Sequence, residues 1–159
     1  MILKIADKQD LCAILNLQYL AYQSEAMLCN NPKIPPLTQT LQEVEQDFIK
    51  GIFLKALNEK DETVGSVRAY SENGTLYIGK LIVRPDLQGQ GIGTILLKEM
   101  EGKFPHKRYE LFTSSKSTRN IKLYERLGYL VFKEQEITTD LKFIYLEKIQ
   151  KDVYRNQNT

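Results

Sequence analysis

Three glycines within five residues, Gly89, Gly91 and Gly93, follow the apolar run Leu81-Ile82-Val83 and open a stretch with Ile92, Ile95, Leu96 and Met100 at helical spacing. A strand that passes through glycines into a helix leaves several backbone N–H groups without a helical partner. Their partial positive charge suits a phosphate, and a residue without Cβ lets the backbone approach it. The chemistry implied is a pyrophosphate cradle; without a ligand the same stretch is a tight strand-to-helix turn. Two other phosphate loops do not fit. A P-loop needs Lys and then Ser or Thr after its last glycine, whereas Thr94 and Ile95 follow Gly93. The dinucleotide fingerprint G-x-G-x-x-G fails because these glycines are spaced two apart.

A second constellation runs from Asn120 to Tyr129. Asn120 and Tyr124 are four apart and share one helix face, while Leu123 and Leu127 share the neighbouring face and can pack on a sheet. The Asn side chain offers a donor and an acceptor to an amide, and a phenol can give a proton to a departing thiolate. By residue type alone, Tyr124 is equally a core tyrosine. Lys122 and Arg126 either reach outer phosphates or form a solvated helix face.

Gln88, Gly91 and Gly93 satisfy Q/R-x-x-G-x-G/A, which resembles the acetyl-CoA pyrophosphate loop of the GNAT superfamily. Asn120, Tyr124, Gly128 and Tyr129 resemble the family's downstream N-x-x-x-Y-x-x-x-G-[F/Y] region, and the element order resembles the family over Met1 to Lys148. The resemblance implies an N-acetyltransferase that moves an acetyl group from acetyl-CoA to a primary amine of a small molecule or peptide, by direct attack in a ternary complex and without a metal. It implies cofactor contacts from the backbone of Leu81, Ile82 and Val83, where pantetheine fills the gap to a splayed neighbouring strand. It adds the loop Gln88, Gly89, Gln90, Gly91, Ile92, Gly93 and Thr94, then Asn120 and Arg126. Tyr124 becomes the acid that protonates the leaving sulfur. The glutamate that some members hold on the strand before the loop is missing: Tyr77 stands near its place, and no carboxylate lies between Thr75 and Val83. Deprotonation then falls to a water chain, to an amine arriving neutral, or to Glu25. Tyr19, Tyr22, Glu25 and Tyr77 are the residues expected to line a substrate pocket shaped by the first two helices and the loop from Ser24 to Leu37. A glutamate among aromatics suits a cationic amine.

The elements that must position these groups follow from periodicity and punctuation. Ile2 to Ile5 reads as a strand, and Asp7 as the cap of a helix reaching about Met27. Cys29 to Pro36, with two asparagines and three prolines, is a loop. Thr38 caps a second helix with Leu41, Val44, Phe48 and Ile49 on one face, ended by Gly51. Strands follow at Ile52 to Leu57, Thr63 to Tyr70 and Thr75 to Val83, the last two joined by an Asn73-Gly74 hairpin turn. After the glycine-opened helix come a strand at Tyr109 to Thr113, a helix at Thr118 to Leu127, and strands at Tyr129 to Lys133 and Phe143 to Glu147. The expected fold class is α/β (α+β): a mixed, mostly antiparallel sheet of about seven strands flanked by four helices. Residues 1–149 form one domain in this reading, and 150–159 a polar tail.

The 159 residues are 42% hydrophobic and 26% charged, an ordinary globular balance. With 22 basic and 20 acidic residues the net charge is +2, too even to imply a nucleic-acid or membrane partner. No apolar run is long enough to span a bilayer, and Met1 to Asp7 lacks the pattern of a signal peptide. Cys12, expected to border a core, Cys29 and the single His106 form no metal-ligand spacing. A reduced cytoplasmic protein is therefore expected, with a homodimer as the default assembly. Two other classes share the pattern. A non-catalytic acyl-CoA sensor would bind without turnover, against which Tyr124 stands. A nucleic-acid or protein-interaction module would need a clustered basic stripe for the nucleic-acid version, and none is present.

Overall fold

The computed structural model describes residues 1–150. The expected tail therefore lies outside the described residues, apart from Gln150. Seven strands, β1 (Ile2–Ile5), β2 (Ile52–Leu57), β3 (Thr63–Glu72), β4 (Thr75–Val83), β5 (Arg108–Ser114), β6 (Leu130–Glu136) and β7 (Lys142–Ile149), form one sheet in the order β1-β2-β3-β4-β5-β7-β6. All neighbours are antiparallel except β4 and β5, which are parallel. That pair is registered only at Thr75–Arg108, Leu76–Tyr109 and Tyr77–Glu110. Beyond Tyr77 the two strands diverge, so the rest of β4 lacks a ladder partner on its β5 side. The Asn73-Gly74 turn joining β3 to β4 has both residues at positive φ, as a two-residue hairpin requires.

Six α-helical segments of the described residues flank the sheet, where four were expected: α1 (Leu11–Ala21), α2 (Gln23–Leu28), α3 (Pro35–Thr38), α4 (Leu41–Lys50), α5 (Ile92–Lys103) and α6 (Thr118–Arg126). Asp7 does cap the chain's first helical turn, taking the Gln9 N–H at 2.9 Å. The helix expected to run to Met27 breaks at Tyr22, whose ψ of 0° turns α2 away from α1. The second expected helix begins later than Thr38, which closes the single turn α3. Thr40 is its cap: Thr40 Oγ1 accepts the Glu43 N–H at 3.2 Å, and Glu43 Oε1 accepts the Thr40 N–H at 3.0 Å. This reciprocal pair satisfies two donors that a helix start leaves open.

The main core lies between the sheet and α5 and α6, with Leu96, Leu97, Met100, Tyr109, Tyr129 and Leu146 among its sealed side chains. The opposite face packs on α1 and α4 through Leu11, Ile14, Val44 and Phe53. Two phases differ from the periodicity reading. Ile95 is exposed while Leu97 is buried, and Ile49 is 82% exposed. Cys12 is likewise exposed rather than bordering a core. Helix α5 lies close on β3 at Gly65, where an added Cβ would stand 2.9 Å from Leu96 Cδ1 and 3.1 Å from Ile92 Cγ2. Its far end is pinned by the buried Glu101 carboxylate, which accepts the Tyr129 hydroxyl at 3.0 Å and pairs with Lys148 at 2.7 Å. A buried carboxylate is tolerable only when its oxygens are partnered in this way. No helix among the described residues is long and apolar enough to cross a membrane.

Candidate functional site

Where β4 and β5 diverge, a cavity of about 510 Å³ opens between the end of β4, the glycine loop, α2 and the start of α6. Gly91 is the N-cap of α5 and adopts φ +87°, and Gly89 adopts φ +79°. In this left-handed region a side chain costs energy, so here the glycines serve backbone conformation. Residues 89–94 donate no backbone hydrogen bond to any of the described residues, which leaves their N–H groups open at the mouth of a helix dipole. That set of donors fits a pyrophosphate. Gly93 differs from its neighbours: a Cβ there would meet Leu123, Leu81 and Val83 at ordinary contact distances of 3.7–3.8 Å.

The residues expected to hold the cofactor are brought together almost entirely. Leu81, Ile82 and Val83 line the cavity from β4; Gln88, Gly89, Gly91, Ile92, Gly93 and Thr94 line it from the loop; Asn120 and Arg126 line it from α6. Gln90 is exposed and lies off the wall, and so does Lys122. The Gln88 side chain folds back on the loop, donating from Nε2 to the Val83 carbonyl at 3.3 Å. Asn120 is oriented by Thr113 of β5 at 3.5 Å.

Arg119 and Ser117 also line the cavity, although sequence reasoning did not select them. Arg119 donates from Nη1 to Gln88 Oε1 at 3.3 Å, and its Nη2 lies 3.2 Å from the position of a Cβ on Gly89. A cation thus sits over the free N–H groups. Its adjacency to Asn120 was the available signal. Ser117, buried at the head of α6, donates its hydroxyl to Glu25 Oε1 of α2. Glu25 is therefore a half-buried part of the wall rather than a surface carboxylate.

Tyr124 is 6% exposed and packs at 6.1 Å from the Tyr129 ring. Burial, reinforced by Tyr22 and Glu25, raises its phenol above the ordinary tyrosine value. Its hydroxyl has no hydrogen-bond partner among the described residues. Tyr22 is raised in the same way by burial and by Glu25, with Arg68 pulling in the opposite direction. Tyr22 and Glu25 line the cavity, whereas Tyr124 lies off its wall. Two other expected substrate contacts lie elsewhere. Tyr19 donates its hydroxyl to the Gln39 carbonyl and packs in the α1–α4 core. Tyr77 stacks on Tyr70, ring centroids 5.0 Å apart, in the wall of a second cavity of about 890 Å³.

Comparison with known proteins places this geometry. The sequence pattern of the Acetyltransferase (GNAT) family matches residues 13–129. Over 98 residues the chain is 24% identical to an uncharacterized N-acetyltransferase, ycf52, of Gracilaria tenuistipitata var. liui, covering 60% of this chain and 53% of that protein. The chain thus spans about half the length of the curated relative it matches. The ribosomal-protein-S18-alanine N-acetyltransferase of Escherichia coli shares the fold with a TM-score of 0.77 at 16% identity, over 93% of this chain and 92% of that one. The PaiA N-acetyltransferase of Thermoplasma acidophilum, solved in complex with coenzyme A, has a TM-score of 0.76 at 16% identity, over 94% of this chain and 100% of that one.

Proposed function

The chain belongs to the GNAT acetyltransferase family, and from that premise we propose that it transfers an acetyl group from acetyl-CoA to a primary amine by direct attack in a ternary complex. The observation that carries this reading is the continuity of the first cavity. One space joins the free N–H groups of residues 89–94, the unpaired end of β4 and the α6 face bearing Asn120.

Acetyl-CoA supplies the activated acetyl thioester; the protein's own groups do the rest. The N–H groups of residues 89–94 and the Arg119 cation neutralise the pyrophosphate. The β4 backbone past Tyr77, with no β5 ladder, offers hydrogen bonds to the pantetheine amides and a donor that polarises the thioester carbonyl. Asn120, held by Thr113, presents its amide from the other wall. Tyr124, like any tyrosine, is protonated across the physiological range, and burial holds its proton more firmly still. That is the state a donor to the leaving sulfur must hold. Glu25, which lines the cavity and accepts the Ser117 hydroxyl, receives the amine proton in this reading. The free cysteines, Cys12 exposed and Cys29 half-buried, are consistent with a reducing cytoplasm.

Incubation with acetyl-CoA and a panel of primary amines, followed by thiol release, tests the reading. Amine-dependent release of free CoA is expected. Tight acetyl-CoA binding without turnover on any amine would replace it with the sensor reading.

A further inference from the structure

The second cavity lies on the α1–α4 side of the sheet and shares β4 with the first. Its inner end holds a concentration of cations. Arg68 of β3 is 7% exposed. Its guanidinium lies over the Phe53 ring at 4.5 Å. Nη1 reaches Asp47 Oδ2 at 3.1 Å and Gln39 Oε1 at 3.3 Å, and Nη2 reaches Gln18 Oε1 at 2.7 Å. The Nε–H has no partner, and it is the sole buried side-chain donor or acceptor in that condition among the described residues. Such a group is costly unless something else binds it.

Lys80 stands across from it. β3 and β4 pair Arg68 with Gly79 and then slip register toward Ser66–Ile82. Lys80 occupies this bulge with φ +49°. A non-glycine residue is held in that conformation only where its surroundings over-determine it, and such positions cluster at functional sites. Lys80 is half-buried and has no ion pair or side-chain hydrogen bond among the described residues. Burial and the Arg68 charge both lower its affinity for a proton, and Asp47 acts the other way. Two cations therefore share one carboxylate, Asp47. The other acid on the same side, Glu110, is bound to Arg108 at 2.9 Å, and Glu72 lies at the exposed rim.

We propose that Arg68 and Lys80 form a carboxylate-binding site in this second cavity, and that the acceptor amine is a small molecule bearing its own carboxylate, an amino-acid-like substrate. The acceptor part rests on the acetyltransferase reading. The carboxylate offsets the unpaired Lys80 charge and the excess of two cations over the single Asp47 carboxylate, and its arrival is felt at the adjoining Arg68 guanidinium. The amine end then points along β4 toward the strand divergence. Lys80 of the second cavity is followed directly along β4 by Leu81 and Ile82, which line the first. This adds a carboxylate to the cationic amine expected from the sequence, which took Tyr77 and Glu25 to line one pocket.

Arginine Nε–H groups give resolved proton–nitrogen NMR signals, so the site can be read directly. The probes are the proteinogenic amino acids, their primary amides, simple dipeptides and inorganic phosphate, titrated into the protein with and without coenzyme A. At least one amino acid is expected to move the Arg68 Nε–H signal, with its amide at least tenfold weaker. Lys80→Gln should reduce that discrimination about tenfold, and Lys80→Arg should retain it, while acetyl-CoA affinity stays unchanged in both. Equal shifts from acid and amide, a response to phosphate alone, or no response to any probe would overturn the carboxylate site. A dipeptide response stronger than that of any free amino acid would overturn the small-molecule assignment. Turnover of an amine series with no preference for the acid over its amide would overturn the acceptor assignment while leaving the acetyltransferase reading intact. A clear Arg68 response without CoA release on any amine would overturn the acetyltransferase reading, and the acceptor assignment with it, while leaving the carboxylate site intact.

Discussion

The two cavities on either side of β4 are built by different means. The first is walled largely by backbone: consecutive N–H groups of residues 89–94 and the unpaired end of β4. The second is walled by side chains that arrive separately, Asp47 from α4, Arg68 from β3, Lys80 from β4 and Glu110 from β5. Backbone recognition is written in one continuous segment, because positive φ and a free helix start demand glycine at fixed spacing. Side-chain recognition is written across the fold, and each of its residues is unremarkable in its own neighbourhood. The lesson is general: a ligand held by main chain leaves a local motif, and a ligand held by side chains does not.

The largest effect is expected at Tyr124. Tyr124→Phe keeps the ring packed against Tyr129 and removes only the hydroxyl. If Tyr124 donates to the leaving sulfur, kcat falls by about 10²–10⁴-fold, with acetyl-CoA affinity and melting temperature little changed. A tyrosine that only packs would leave kcat near the wild-type value and shift stability by about 1 kcal/mol. Steady-state kinetics and a melting curve on one sample separate the two outcomes.

Next is Gly91→Val, which sharpens the claim that the first cavity is a matter of backbone. A β-branched residue at φ +87° stores about 1–3 kcal/mol of strain unless the loop rearranges. Acetyl-CoA affinity measured by calorimetry should fall roughly fivefold to a hundredfold, since each 1.4 kcal/mol is about tenfold. Circular dichroism checks that the variant is folded. Unchanged affinity in a folded protein would show that the loop is not the cradle. Gly93→Ala is the counterpart with the smallest effect. Its Cβ has ordinary contact room and no positive φ to violate, so affinity should stay within about twofold.

A pH titration tests the enclosure of the first region, whose wall includes Tyr22. The phenols of Tyr22, Tyr124 and Tyr129 are all raised by burial. The unfolded chain loses these protons near pH 10 while the folded chain keeps them. Their contribution is therefore intact below about pH 10 and drains as pH rises through the shifted values. Melting temperature should drop across that window, and Tyr22→Phe should make the drop shallower. An unaltered slope would mean that Tyr22 is solvated rather than enclosed.

The legible parts of the molecule follow the same division. The strand pattern, the Asn73-Gly74 turn, the glycine-led start of α5 and the helix that carries Asn120 and Tyr124 are local features and could be read from the sequence. Thr40 as helix cap was also readable, since Glu43 follows at capping-box spacing; Thr38 was the nearer polar residue to the proline loop and masked it. The break at Tyr22 carries no Gly or Pro, so periodicity ran through it. Gln18 looks like a stray polar residue on an apolar helix face until Arg68, fifty positions away, meets its amide. Tyr77 was placed with Tyr22 and Glu25 by analogy of position, yet it faces the second cavity.

Gly65 gives the cofactor loop a dependence that no residue of the loop reveals. Helix α5 rests on β3 through the space where a side chain would be, and Ile92 and Leu96 fill it. The height of the helix start above the sheet is thus fixed by an absent methyl group on a different strand. Enlarging residue 65 would act as a shim, lifting the mouth of α5 away from β4 while leaving every group in the cavity wall chemically unaltered. A homologue that carries alanine there could preserve the whole motif and still have a differently seated loop, so residue 65 belongs in any judgement of whether two such motifs are equivalent.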